Sequence, residues 1–141
     1  MSLPAPTDFD AGGDYGLRSD ARRFEASTMS PALAGGLAAA ADAACERGES
    51  GFEEIRHRAD FLMGLLSERP GITLRSPRPA QSGLVSFEVE GVAAKDVAEY
   101  LLQQRFILRY IPGPNSYVRA STHLFNTEEE LEALAKTVNR L

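Results

Sequence analysis

The chain has 141 residues, of which 43% are hydrophobic and 25% are charged, and its formal net charge is −5. This length and composition are typical of one ordinary globular domain, and the negative charge argues against binding to nucleic acid or to an anionic membrane. No apolar run reaches the length of a membrane span, and the lone cysteine, Cys45, excludes an intrachain disulfide and fits a cytoplasmic location.

The N-terminal third combines an arm with one unusual helix. Residues 1–22 are rich in glycine, proline and aspartate and predict an irregular arm. An alanine-rich helix follows, with Ser30 as N-cap, Pro31 in its first turn and Gly48 as its stop. Because this helix is apolar on almost every side, we expect it to be buried, with Cys45 as a small buried hydrophobe. A chain this short has little surface to cover it, so the pattern predicts a covering surface elsewhere.

Residues 49–141 predict a small α+β domain with the element order α, β, β, α, β, β, α. We expect a small mixed or antiparallel sheet with helices packed on one face. Ser50 and Glu53 form a capping-box pattern at the first helix, and Thr127 and Glu130 form another at the last helix. Four strands are predicted: a short one in ITLRSP, ended by proline, and three in SGLVSFEVEG, FILRYIP and SYVRAST, whose apolar residues alternate or cluster as strands require.

Metal and hydrolase chemistry have little support in the sequence. The two histidines, His57 and His123, are not in the spacing of a metal site, and we expect His57 to have a structural or surface role. The chain contains no GxSxG elbow and no phosphate-binding loop of the usual spacing. We therefore predict no metal site.

One arginine in a strand is the first candidate binding residue. In YVRAS, alternation places Val118 and Ala120 on one face of the strand and Arg119 on the other. The planar guanidinium group matches a carboxylate, so Arg119 predicts a site for an amino-acid-like ligand. The alternative is an ordinary ion pair with a nearby glutamate such as Glu88 or Glu128.

A second candidate lies before the alanine-rich helix. The segment RRFEAST places Ser27 and Thr28 where hydroxyl and backbone N–H groups can hold an anion. The alternative is simple helix capping, which Ser30 already provides.

Together these motifs resemble the C-terminal part of the class V aminotransferases. These are pyridoxal 5'-phosphate (PLP) enzymes, and the family includes cysteine desulfurases and isopenicillin N epimerase-like proteins. The resemblance covers residues 15–141 and rests on DARRFEAST at 20–28, the alanine-rich helix, SGLVSFEVEG, ILRYIP, and VRASTHLFNTEEEL at 118–131. It implies PLP fold type I, with residues 1–48 (arm and helix) belonging to the large domain and residues 49–141 forming the C-terminal small domain.

The resemblance implies roles for five residues. Arg119 is expected to bind the α-carboxylate of an amino-acid substrate. Thr28 is expected to bind the cofactor phosphate of a neighbouring subunit, which implies a homodimer. Arg109, His123 and Asn126 match the family pattern and are expected to shape the site.

The chain departs from the family pattern in two ways. The family's catalytic lysine lies upstream of the matching region, and the two lysines of this chain, Lys95 and Lys136, lie in no matching motif. We therefore expect no catalytic residue in this chain, no PLP binding by the chain alone, and no activity without the rest of the enzyme. The loop PGPNSY lacks the reactive cysteine of the desulfurases, which favours an aminotransferase, lyase or epimerase. The alternative function is a non-catalytic small-carboxylate-binding or interaction module.

Overall fold

The computed structural model divides into two compact units, Met1–Glu46 and Arg47–Leu141. The residues that the structure describes are 8–9, 12, 15–16, 19–21 and 30–141.

The first unit contains a short two-stranded ladder. Strand β1 (Asp8–Phe9) pairs antiparallel with β2 (Tyr15–Gly16), so the prediction of a wholly irregular arm is wrong for these residues. The alanine-rich helix begins as predicted. Ser30 accepts hydrogen bonds from Ala34 N through its carbonyl oxygen at 3.1 Å and from Leu33 N through Oγ at 3.5 Å.

The alanine-rich segment is exposed. Leu33 and Leu37 are 77% and 73% exposed, and Cys45 is exposed as well. The prediction that Cys45 is buried is therefore wrong in this structure, because residues 31–46 form no buried core among the described residues.

The helix α1 (Pro31–Ser67) continues past the predicted stop. Gly48 adopts φ 54° and ψ −146°, so the regular helix is interrupted there and resumes at residue 49. Positive φ is readily available to glycine, which explains this residue at the break. The predicted capping box at Ser50 does not form, because its hydroxyl donates instead to the Arg47 carbonyl at 2.7 Å.

The second unit confirms the predicted α+β class and element order. A four-stranded sheet has the strand order β3-β4-β6-β5, and every neighbouring pair is antiparallel. Three helices accompany the sheet: the residue 49–67 part of α1, and two more. The remaining elements are β3 (Ile72–Leu74), β4 (Leu84–Val89), α2 (Ala94–Gln103), β5 (Arg109–Ile111), β6 (Tyr117–Ser121) and α3 (Glu128–Val138).

One face of this sheet forms the core with the helices. We call it the covered face. Alternation along β4 and β6 turns Val85, Phe87, Val118 and Ala120 toward it, and all four are buried. The buried helix residues in the same cluster are Ala59, Leu62, Met63 and Leu66 of α1, Ala94, Val97 and Leu101 of α2, and Leu131, Leu134, Ala135 and Val138 of α3.

The two short helices differ at their N-termini. In α3 the predicted capping box is present: Glu130 N donates to Thr127 Oγ1 at 3.2 Å, and Thr127 N donates to Glu130 Oε2 at 3.2 Å. The N-cap of α2 is Ala93, whose side chain makes no capping hydrogen bond. The α3 terminus is therefore fixed by two reciprocal bonds where α2 has none.

The described residues also limit two classes of site. None of the helices within the described part of the chain is long and apolar enough to cross a membrane. Across the same residues, no three histidine, cysteine, aspartate or glutamate side chains are grouped as a metal site requires.

Candidate functional site

The candidate site begins at Arg119 in β6. The predicted alternation is confirmed: Val118 and Ala120 are 1% and 5% exposed on the covered face, and Arg119 lies on the opposite side, which we call the polar face. The register places Arg119 between Ser86 of β4 and Arg109 of β5. Arg119 thus lies in an inner strand of the sheet, with a polar neighbour on each side.

The two glutamates considered as ordinary ion-pair partners of Arg119, Glu88 and Glu128, contact other residues. Glu88 receives two hydrogen bonds from Arg75, from Nε and from Nη2, each at 2.9 Å. Glu128 lies 3.8 Å from His57 Nε2. The local ion pair of Arg119 with either residue therefore does not form.

The guanidinium group of Arg119 has an unsatisfied donor. Its Nε is buried and has no hydrogen-bond partner among the residues that the structure describes. A buried donor left without a partner costs about 1–3 kcal/mol, and more where the group is charged. Such a donor needs an explanation, and an anionic ligand that accepts its hydrogen bond would supply one.

Arg109 adds a second cation to the same row. It is exposed and lies in the edge strand β5. In the ladder between β5 and β6, Arg109 lies directly opposite Arg119. Neither arginine takes part in an ion pair within the described ranges of the chain. Like charges directly opposite each other on a sheet are destabilising, so this pair increases the local attraction for an anion.

The loop after β6 is held together by Asn126. The backbone N–H of His123 donates to Asn126 Oδ1 at 2.9 Å, and Asn126 Nδ2 donates to Glu130 Oε2 at 3.3 Å. The His123 ring is exposed and stacks on Phe125 with the centroids 5.1 Å apart. Asn126 therefore shapes the loop through hydrogen bonds, and His123 lies on its surface.

Sequence reasoning missed the role of Arg58. In α1, Nε of this arginine donates to the carbonyl oxygen of Asn126 at 2.7 Å, and Nη1 contacts Glu54. It thereby connects α1 to the loop that carries His123. The Glu54–Arg58 spacing of four residues was a visible signal for a helical ion pair, but no local pattern indicates a contact across 68 residues.

A groove of about 380 Å³ lies at the end of β6 nearest this loop. Phe52 and Ile55 of α1 supply apolar walls, and Leu84, Ser121 and His123 line the other side. Ser121 is two residues from Arg119 and shares its face of the strand. The groove therefore meets the strand of Arg119 at Ser121, but neither Arg109 nor Arg119 lines it.

Two further predictions concern the cofactor. Thr28 lies outside the described residues, so its predicted role is neither supported nor opposed by the geometry. Lys95 and Lys136 lie on exposed helix surfaces, where they pair with Glu99 at 3.6 Å and Glu132 at 2.9 Å. Each lysine therefore has a glutamate partner on its own helix.

Comparison with known proteins gives relatives along nearly the whole chain. A probable cysteine desulfurase of Halalkalibacterium halodurans is 33% identical over 129 residues, which cover 84% of this chain and 32% of the relative. A cysteine desulfurase of Synechococcus elongatus is 32% identical over 133 residues, covering 84% of this chain and 21% of the relative. The chain thus spans about a third or less of the length of these relatives.

Solved structures give the same relationship in three dimensions. The cystine C-S lyase C-DES, in complex with its reaction product cysteine persulfide, matches with a TM-score of 0.73 and 29% identity over 94% of this chain and 36% of C-DES. A lysine-to-alanine mutant of C-DES with glycine covalently linked to the PLP cofactor matches with a TM-score of 0.73 and 28% identity, covering 94% of this chain and 35% of that one.

A family model confirms what these relatives indicate. The model described as aminotransferase class-V matches residues 7–134, which include both arginines of the polar face and the loop after β6. A match of that extent, together with relatives above 30% identity, establishes the family. The chain belongs to the class-V aminotransferases.

Proposed function

We propose that this chain is the C-terminal portion of a PLP-dependent class-V enzyme that acts on an amino-acid substrate, and that Arg119 binds the substrate α-carboxylate. The observation that carries the proposal is the unpaired, buried Nε of Arg119 on the polar face. A carboxylate would accept two parallel hydrogen bonds from the guanidinium group and would neutralise its charge. The substrate would thereby be oriented before any bond is broken.

The cofactor proposal is supported by the relatives and limited by this chain's own residues. C-DES is described with PLP, to which glycine is covalently linked in its lysine mutant. When bound, PLP supplies an electron sink for amino-acid chemistry. The two lysines of this chain are paired on helix surfaces, so we propose that the attachment lysine belongs to polypeptide outside these 141 residues. The share of this chain is then to bind and orient the substrate.

The reaction subtype is proposed from one loop. Residues 112–116, between β5 and β6, read PGPNS and contain no cysteine, and the lone Cys45 lies in the other compact unit. Without a loop thiol to accept sulfur, an aminotransferase, lyase or epimerase reaction is favoured over a cysteine desulfurase reaction. The likeness to a cystine C-S lyase supports a lyase among these three.

The remaining parts of the proposal concern assembly. We propose a cytoplasmic homodimer in which Thr28 binds the cofactor phosphate of the neighbouring subunit. We also propose that residues 1–48 belong to the large domain and that residues 49–141 form the small domain. Sedimentation of the complete protein at several concentrations tests the dimer. In a dimer, replacing Thr28 with alanine should weaken retention of PLP and leave the subunit interface intact.

The first test asks whether this chain is catalytically incomplete. PLP is added to the purified 141-residue chain, excess cofactor is removed by dialysis, and the absorbance spectrum is recorded. The expected spectrum has no stable cofactor band, because we propose that the attachment lysine lies outside these 141 residues. A stable band that survives dialysis would contradict the proposal.

The second test asks for the role of Arg119. In the PLP-loaded complete enzyme, Arg119→Gln should raise KM by about 10²-fold or more and leave the cofactor spectrum unchanged, because substrate binding loses a charge-assisted pair. The matched control is Arg140→Gln, which removes an exposed arginine after α3 and should leave KM unchanged. An unchanged KM for Arg119→Gln would remove the proposed role.

The alternative function, a non-catalytic carboxylate-binding module, rests on the same arginine. It differs in predicting tight, saturable binding of a small carboxylate by the isolated chain in the absence of PLP. Calorimetric titration with acetate and with amino acids distinguishes the two, since an incomplete site should bind either ligand only weakly.

A further inference from the structure

The polar face carries two guanidinium groups, although one is enough to bind an α-carboxylate. Arg109 and Arg119 are Cα partners in the β5–β6 ladder, so their side chains leave the same face of the sheet. Cα atoms of directly opposite residues in an antiparallel pair lie roughly 4.5–5.5 Å apart. One small molecule can therefore reach both groups.

The two arginines differ in depth. Arg119 lies in an inner strand and is half-buried, with its Nε fully enclosed, whereas Arg109 lies in the edge strand and is exposed. A ligand bound at Arg119 would lie across the sheet toward Arg109. Its inner end would meet the desolvated cation, and its outer end would meet the cation at the rim.

A single carboxylate does not account for both cations. The planar fork of Arg119 can satisfy the two oxygens of one carboxylate by itself. The charge of Arg109 would then remain without an anion, since Glu88 of β4 is already bound by Arg75 and Arg109 has no ion pair within the described part of the domain. Two opposed like charges without an anion cost stability, and a second acidic group would remove that cost.

We propose that Arg109 binds a second carboxylate of the substrate, so that the enzyme acts on amino acids with an acidic group at the far end of the molecule. This inference rests on the proposed function, because it takes the α-carboxylate to be bound by Arg119. Arg109 is a specificity-determining residue in this scheme. It favours a dianionic substrate over a monoanionic one and does not itself take part in bond breaking.

The test uses the complete PLP-loaded enzyme, in which the site is whole, and two probes that differ by one carboxylate, glutarate and butyrate. Binding is followed by the change in cofactor absorbance during titration at low salt, because the exposed end of the site is subject to salt screening. We expect both probes to bind and glutarate to bind about tenfold or more tightly than butyrate.

Two variants and a control separate the residues. Arg109→Gln should reduce glutarate affinity to that of butyrate and leave butyrate affinity unchanged, while Arg119→Gln should abolish the response to both probes. Arg140→Gln, which makes the same charge change after α3, should alter neither affinity. The amide spectrum of each variant shows whether it is folded.

The outcomes distinguish this inference from the function on which it rests. Equal affinity for the two probes, with both dependent on Arg119, would overturn the second carboxylate site and preserve the α-carboxylate role. An equal loss for both probes in Arg109→Gln would mean that the two arginines share one carboxylate, which also overturns it. No response of the complete enzyme to either probe would overturn both.

Discussion

The two faces of the four-stranded sheet are made by the same strands but have opposite properties. On the covered face, Phe87 and Val118 are buried against the helices. On the polar face, Ser86, Arg119 and Arg109 form one row in which Arg119 Nε has no partner within the described residues. Apolar burial stabilises the fold, whereas an unpaired buried donor costs stability. One face maintains the fold, and the other carries the unsatisfied donor to which we propose that a ligand binds.

The largest expected effect is on the covered face. Phe87→Ala removes the largest side chain that is fully buried among the described residues and should reduce the free energy of unfolding by about 3–5 kcal/mol. Ser86→Ala, one residue earlier on the polar face, should change it by less than about 0.5 kcal/mol. Urea unfolding of both variants measures the difference. Similar losses would show that the faces contribute equally to stability.

The next largest effect on stability is expected at Gly83, the residue immediately before β4. A Cβ atom there would overlap the carbonyl oxygen of Thr122 and would lie 2.8 Å from Ile55 Cγ2. Gly83→Ala should therefore cost about 1–3 kcal/mol, since backbone cannot yield as a flexible side chain can. The control is Gly64→Ala in α1, where nothing lies closer than 3.9 Å and alanine should stabilise the helix by roughly 0.5–1 kcal/mol.

A smaller effect concerns the helices over the covered face. Thr127→Ala removes the capping box of α3 and should cost about 1 kcal/mol. Ala93→Ser offers α2 the cap that it lacks and should gain a comparable or smaller amount. Thermal unfolding of both variants, compared with that of the parent chain, shows whether each substitution lowers or raises the stability. A loss in Ala93→Ser would show that the start of α2 cannot accept a capping hydroxyl.

The smallest effect is a pH dependence at the start of α3. Hydrogen bonds from the helix-terminal backbone, and then from the Thr127 hydroxyl, lower the pKa of Glu129. A lowered pKa in the folded state contributes stability above the unfolded-state pKa, and this contribution is lost as the pH falls through the folded-state pKa. Glu129→Gln should therefore be less stable than the parent chain at neutral pH, with the difference vanishing in acid. A difference independent of pH would contradict this assignment.

The sequence predicted the parts of the fold that depend on local patterns. Alternation in YVRAS identified the side of β6 on which Arg119 lies, and the spacing of Thr127 and Glu130 identified the cap of α3. These predictions succeeded because side-chain direction in a strand and capping at a helix start involve residues within a few positions of each other.

Local patterns failed where competing contacts decided the outcome. Ser50 has the composition of a capping box, yet its hydroxyl donates to Arg47 because α1 resumes directly after Gly48. Phe52 shares an apolar helical stripe with Ala59, Leu62 and Leu66, which are buried, but is itself 62% exposed. Periodicity identifies which side of a helix is apolar, but it does not show how far along the helix the neighbouring sheet extends.

The sequence by itself determined the α+β class, the element order of residues 49–141, and the choice of Arg119 as a candidate ligand-binding residue. Only the tertiary structure decided that Arg119 lacks an acidic partner among the described residues, that it lies opposite Arg109, and that Arg58 binds Asn126. The physical reason is that ladder register and ion pairing depend on where the folded chain brings distant residues together. Local propensity carries no information about that arrangement.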